Sequence, residues 1–143
     1  MTQSVLCAVD VSNGDDDLPT IQKAAQLAAL DGAQLDVVSV LPDYGMNQVS
    51  TFFGADHHDK MVEEAKGLLN DVVTKALGDA QNTNVRHIVA TGRVYEEVLN
   101  VAKKTNASLI VVGAHKEDIS DYLLGPNAAR IVRHATCSVH VLR

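Results

Sequence analysis

Residues Leu109 to Arg143 read LIVVGAHKEDISDYLLGPNAARIVRHATCSVHVLR, and the rest of the chain is read outward from them. An apolar run, Leu109 to Val112, ends on Gly113, and a polar loop from Ala114 to Asp121 follows. Tyr122-Leu123-Leu124 leads to Gly125, Pro126 stands where a helix would begin, and Asn127 to Ala135 reads as that helix. Proline suits this first helical position, because its missing N–H would have no partner there anyway. Val139 to Leu142 is a second apolar run. A strand ending on glycine, then a loop, then a glycine at a helix start is the layout of a phosphate cradle. Backbone N–H groups and the positive end of the helix dipole meet there.

Upstream, Val5 to Val9 (VLCAV) is a short run of β-formers that stops at Asp10. Runs that are apolar throughout, rather than alternating, suit strands covered on both faces. Val11 to Gly14 is turn chemistry, and the acids Asp15-Asp16-Asp17 suit a positive helix start. Leu18, Ile21, Ala25 and Ala28 mark the inner face of that helix, and Asp31-Gly32 ends it with glycine at a left-handed cap. Leu35 to Leu41 is the second strand, stopped by Pro42, and Asp43 to Ala55 reads as a long crossover loop. Met61, Ala65, Leu68, Leu69, Val72 and Ala76 recur at helical spacing up to Gly78. Val85 to Ala90 is a third strand, and Thr91-Gly92-Arg93 turns into a helix with Val94, Val98, Val101 and Ala102 inside.

Five strands therefore alternate with four helices. That order predicts an α/β fold: one domain over residues 1–143, a three-layer sandwich with a mainly parallel five-stranded sheet and helices on both faces. A chain of 143 residues suits a single core. Apolar residues make up 46% and charged residues 21%, the balance of a soluble globular protein. The formal net charge of -6, with no Lys/Arg block, argues against nucleic acid or an anionic membrane as partner. With no Trp, three Tyr and two Phe, base-stacking platforms are scarce. Cys7 and Cys137 lie in or beside strand-like runs without CxxC spacing, which reads as reduced thiols in a cytoplasmic protein. No apolar run approaches the roughly 18 residues of a membrane span.

Ligands of open α/β sheets bind beyond the carboxyl ends of the strands, where the strand order reverses. If strands one and four are neighbours there, Asp10, Ser12, Gly113, His115 and Gly125 converge on one crevice. Other chemistries fit less well. His57-His58-Asp59 are adjacent residues that do not share a helix face and lack a third ligand, so they read as solvated residues opening a helix. Asp15-Asp16-Asp17 could hold Mg²⁺, but a run of acids in a loop is usually exposed. A phospho-acceptor receiver would need an aspartate ending strand three and a lysine ending strand five, where Ala90-Thr91-Gly92 and Leu142-Arg143 stand. Neither G-x-S-x-G nor GxxxxGK[ST] occurs. Gly92-Arg93 could touch a distal phosphate or simply turn the chain.

These residues carry a resemblance. A strand ending in Asp10 followed by Ser12, Leu109 to His115 (LIVVGAH), Leu123-Leu124-Gly125 before a helix with Ile131 to Ala135 (IVRHA), and a closing Cys137 to Leu142 (CSVHVL) resemble the universal stress protein family. The resemblance spans the chain in length and order and is most specific over residues 109 to 143. It implies the adenine nucleotide alpha hydrolase-like fold and a stress-responsive regulatory role. Nucleotide-binding members place ATP on a loop of form Gly-x-x-Gly, a spacer, then Gly-Ser or Gly-Thr. Gly113 and Gly125 match its first and late glycines. Lys116 replaces the second glycine, the spacer Glu117 to Leu124 is one residue short, and Pro126 replaces the hydroxyl residue. Lys116 resists positive φ yet offers an ammonium, while Pro126 removes an N–H and a hydroxyl. The expected result is a weakened phosphate site, although the shortened loop also resembles small bacterial members related to ATP-binding ones.

The resemblance also places Asp10 and Val40 at the adenosine portion with Ala8 nearby, and Ser12, His115, Lys116, Pro126 and Asn127 complete the candidate nucleotide contacts. By their own chemistry Asp10, Ser12 and Asn127 are equally at home as turn or helix-start residues. The implied ligand is ATP or AMP, with Mg²⁺ entering only alongside ATP. Slow ATP hydrolysis at His115 and Lys116 is one alternative, and a nucleotide-free interaction protein is another. The last strand, Ser138 to Leu142, would be an apolar sheet edge, and the resemblance implies a homodimer through it.

Overall fold

A computed structural model describes residues 3–42, 55–114 and 126–143. Of the crossover loop expected over Asp43 to Ala55, residues 43–54 lie outside the described residues, as do His115, Lys116 and Gly125. Five strands form one sheet: β1 (Ser4–Val9), β2 (Gln34–Pro42), β3 (Arg86–Gly92), β4 (Ala107–Gly113) and β5 (Ser138–Leu142). Their spatial order is β3-β2-β1-β4-β5, and every neighbouring pair is parallel. Helices α1 (Leu18–Asp31), α2 (Ala55–Leu77), the single turn α3 (Asp79–Asn82), α4 (Val94–Lys104) and α5 (Pro126–His134) provide the connections. The chain runs outward from β1 to β3 and then returns to β4 and β5. Right-handed crossovers therefore put α1 and α2 on one face and α4 and α5 on the other.

The alternation of β1 sorts the core into two layers. Val5, Cys7 and Val9 pack with Ile21, Ala24 and Ala28 of α1 and Leu69 and Val73 of α2. Leu6 packs with Val98, Val101 and Ala102 of α4, Ile110 of β4, and Ala128 and Ile131 of α5. Both faces of β1 are covered, which is why its sequence reads as an unbroken apolar run.

Local signals are realised closely. α1 ends as expected on Gly32, whose φ of 61° is the left-handed conformation glycine tolerates. Gly32 and Ala33 donate to the Ala29 and Ala28 carbonyls at 3.3 and 2.9 Å, closing the helix as a Schellman motif. Gly92 (φ 145°) ends β3, and a Cβ there would come within 3.0 Å of the Glu97 side chain.

Four features differ from the sequence expectations. α2 already runs from Ala55, because its polar first turns carry no periodicity to read. Its buried line is Ala65, Leu69 and Val73, whereas Leu68, expected inside, is 46% exposed. Gly78, expected only to stop α2, also precedes the extra turn α3. His58 is not simply solvated: its Nδ1 is buried without a hydrogen-bond partner among the described residues.

Two polar devices hold the β2–β3 side. Asp36 of β2 is fully buried and pairs with Arg86 of β3, its register partner, through two guanidinium contacts of 2.5 and 2.8 Å. The second joins α2, α3 and β3. The Asn82 amide nitrogen donates to Asn70 Oδ1 at 2.9 Å and to Thr74 Oγ1 at 2.8 Å. Its oxygen lies 2.6 Å from His87 Nε2, which must therefore carry the proton. Burial lowers the His87 pKa from its usual 6.5. The native state consequently binds fewer protons than the unfolded chain. Stability from this site is complete above about pH 6.5 and is lost as pH falls through the folded-state value. Urea midpoints at pH 7.5 and 5.5 should fall further for wild type than for His87→Gln. Equal falls would remove His87 as a cause.

Candidate functional site

The strand order reverses between β1 and β4, and a cleft of about 460 Å³ opens at their carboxyl ends. That volume lies in the range of small-molecule sites. Its floor is the α4/α5 face of three strands: Ala8 of β1, Val38 and Val40 of β2, and Val112 of β4. Ala8 pairs in register with Val38 on one side and Val112 on the other. One small residue between two valines leaves the central depression. Val94 and Val98 of α4 and Ala128 and Ile131 of α5 form the opposite wall.

The polar rim starts where β1 ends. Asp10 has extended backbone and N-caps a 3₁₀ turn, Val11–Asp17. Its Oδ1 accepts from the Ser12 amide at 2.9 Å and the Ser12 hydroxyl at 2.6 Å. The Asp10 backbone N–H in turn donates to Asp17 Oδ2 at 2.7 Å. Lys75 of α2 contacts both oxygens of Asp15 at 2.9 Å and ties the turn down from outside. The acidic run thus has separate engagements rather than a common focus. Among the described residues no group of three or more His, Cys, Asp or Glu is placed to hold a metal ion.

Across the cleft stand Gly113, at the end of β4, and Asn127, in the first turn of α5. Gly113 pairs with Leu142, and the Ala114 amide donates to the Leu142 carbonyl at 2.8 Å, so β4 and β5 end together. The first turn of α5 carries no acidic residue, and its positive end faces the cleft through Asn127 and Ala128. Pro126, which has no N–H to offer, opens the helix and is exposed.

Of the residues picked out in sequence, Ala8, Asp10, Ser12, Val40, Gly113 and Asn127 all line this one cleft. Pro126 stands beside it. Among the lining residues that the sequence reading did not single out, Val38 and Asp17 stand out. Val38 shares a face with Val40, as their spacing of two along β2 would have allowed one to infer. Asp17 belongs to a run read as exposed, yet it is only 3% exposed and lines the cleft.

Neither thiol is set up as a nucleophile. Cys7 lies fully buried beneath the site, and burial, then the negative charge of Asp17, raise its pKa far above the usual thiol value. Cys137 is partly buried, and desolvation raises its pKa as well.

Known proteins resemble the chain over its whole length. A family model described as the universal stress protein family matches residues 1–143. Universal stress protein A homolog 1 of Coxiella burnetii is 33% identical over 141 residues, covering 94% of this chain and 92% of the relative. A universal stress protein solved in complex with cAMP superposes with a TM-score of 0.65 at 22% identity, over 99% of this chain and 97% of its own. The universal stress protein from Archaeoglobus fulgidus in complex with dAMP gives 0.60 at 16% identity, over 100% and 98%. With a parallel β3-β2-β1-β4-β5 sheet, a cleft at its reversal and a full-length family match, the chain belongs to the universal stress protein family.

Proposed function

We propose that the chain binds an adenine nucleotide, ATP or AMP, in the β1/β4 cleft and acts in the cytoplasm as a stress-responsive regulator. The observation that carries this reading is the polarity of the cleft. An apolar floor around Ala8 fits a flat base, while Asp10 at one rim and the α5 start at the other fit a sugar and a phosphate. Asp10 Oδ1 is taken up by Ser12, and its Oδ2 accepts no hydrogen bond from any described residue, which suits a ribose hydroxyl donor. The cAMP and dAMP complexes of its structural neighbours support the same ligand class. The proposed contacts are Ala8, Asp10, Ser12, Val40, Gly113, Pro126 and Asn127, together with His115, Lys116 and Gly125. Mg²⁺ would accompany ATP only.

Pro126 favours a second reading, an interaction protein without nucleotide, because it removes a phosphate-binding N–H and a hydroxyl. Both readings share a homodimer through β5, an edge strand whose outer side has no strand neighbour among the described residues. Freshly purified protein should release an adenine nucleotide on denaturation, and titration calorimetry with ATP and AMP should give saturable binding. No binding at millimolar concentration would leave the second reading. Product analysis of the ATP titration would expose any slow hydrolysis.

A further inference from the structure

We infer that Asp17 is a positioning residue of the nucleotide site, acting through Asp10 to set the site's preference for a ribose with its hydroxyls. The inference rests on the nucleotide reading above.

Three observations set Asp17 apart from its neighbours. Asp15 and Asp16 are exposed, whereas Asp17 is 3% exposed and lines the cleft. It stands at the N-cap position of α1, yet its side chain makes no capping hydrogen bond to that helix. Instead its Oδ2 takes the Asp10 N–H at 2.7 Å, across seven residues of chain. A buried carboxylate has a high desolvation cost, and a merely structural turn needs none. Here it locks the residue whose own side chain faces the ligand.

The lock has a directional consequence. With the Asp10 amide held by Asp17 and Oδ1 held by Ser12, Oδ2 is the atom left for an incoming donor. Two carboxylates at this rim also repel phosphate, so the sugar hydroxyls belong here and the phosphate at the α5 end. A hydroxyl donating to an ionised acceptor is held more firmly than one donating to a neutral group, and a misdirected acceptor forfeits that gain.

Calorimetry with AMP and with 2′,3′-dideoxy-AMP on wild type, Asp17→Ala and Asp17→Asn tests this. Wild type should prefer AMP by about tenfold or more, the scale of one hydrogen bond to a charged group. Asp17→Ala should bind AMP about tenfold more weakly and lose the preference. Asp17→Asn keeps an acceptor oxygen for the Asp10 N–H and should restore most of it, which loss of stability alone would not produce. Should Asp17→Ala fold poorly, Asp17→Ser, a shorter acceptor, should fall between Asn and Ala in its AMP preference. A preference unchanged in Asp17→Ala or Asp17→Ser overturns the inference. Equal wild-type binding of the two ligands also overturns it while leaving the nucleotide reading intact. Failure of wild type to bind either ligand overturns both.

Discussion

Arg86→Ala should lower the melting temperature by roughly 10 °C, the largest stability change expected from any single surface-reaching side chain here. Asp36 is fully buried in β2, and the Arg86 fork supplies both of its contacts given above. Removing the fork strands a carboxylate in an apolar layer with Leu6 and Val38 on the same face of the sheet. Breaking a buried ion pair from one side costs about 3–5 kcal/mol. The Arg86 side chain is 56% exposed, so water can partly replace it, and the lower end, about 3 kcal/mol, is the expectation. At roughly 2–4 °C per kcal/mol for a domain approaching this size, that gives the shift stated.

The pair is asymmetric, and the asymmetry is the sharper test. Asp36→Val removes the buried charge and leaves an arginine that can turn to solvent. It should stay within about 1 kcal/mol of wild type, since apolar replacement of buried ions is often neutral or better. Calorimetric melts of both variants decide the matter. A shift under 3 °C in Arg86→Ala, or an Asp36→Val variant that melts lower than Arg86→Ala, would reject this account.

The same pair shows where a sequence stops being readable. Asp36 lies inside LDVVSVL, and nothing local announces that its partner is 50 residues away. Elements whose cause is local were legible. Gly32 closes α1 because a left-handed cap wants glycine, and β1 reads apolar because both its faces are covered. The parallel sheet with helices on both faces was legible too, since alternating strands and helices need crossover connections, but the strand order was not. Asp10 and Gly113 could be placed together only on the condition that β1 and β4 are neighbours, which the sheet order meets. Asp17 could not, because its role depends on a 3₁₀ turn bending the chain back onto the Asp10 amide. A run of three acids gives no sign of which one turns inward. The α2 start was hidden for a related reason: His57, His58 and Asp59 extend the helix without an apolar stripe. Leu68 reads as inner and the buried Val73 goes unmarked because adjacent apolar positions on a long helix leave the inner face ambiguous by about one residue.

Ala8→Phe should abolish AMP binding, by about a hundredfold or more, while leaving the melting temperature unchanged or higher. Ala8 is the low point of the cleft floor, between Val38 and Val112, with Val98 and Ile131 on the opposite wall. A benzyl group built there would occupy the volume assigned to the base. Large residues forced into filled cores cost about 1–3 kcal/mol, but this substitution enters open space of about 460 Å³. The apolar surface it covers contributes about 1.5–3 kcal/mol in the opposite direction. Stability and binding should therefore part company, which a generally damaged fold cannot imitate. Ala8→Val, adding less bulk, should give an intermediate loss. Leu30→Phe, on the 80% exposed outer side of α1, should leave binding untouched. Calorimetric titration with AMP beside thermal melts reads both quantities. A graded loss in the order Val then Phe, at constant stability, ties the ligand to this floor. Undiminished AMP binding in a stable Ala8→Phe protein would move the ligand out of the cleft altogether, because base and benzyl group cannot share the space above Ala8.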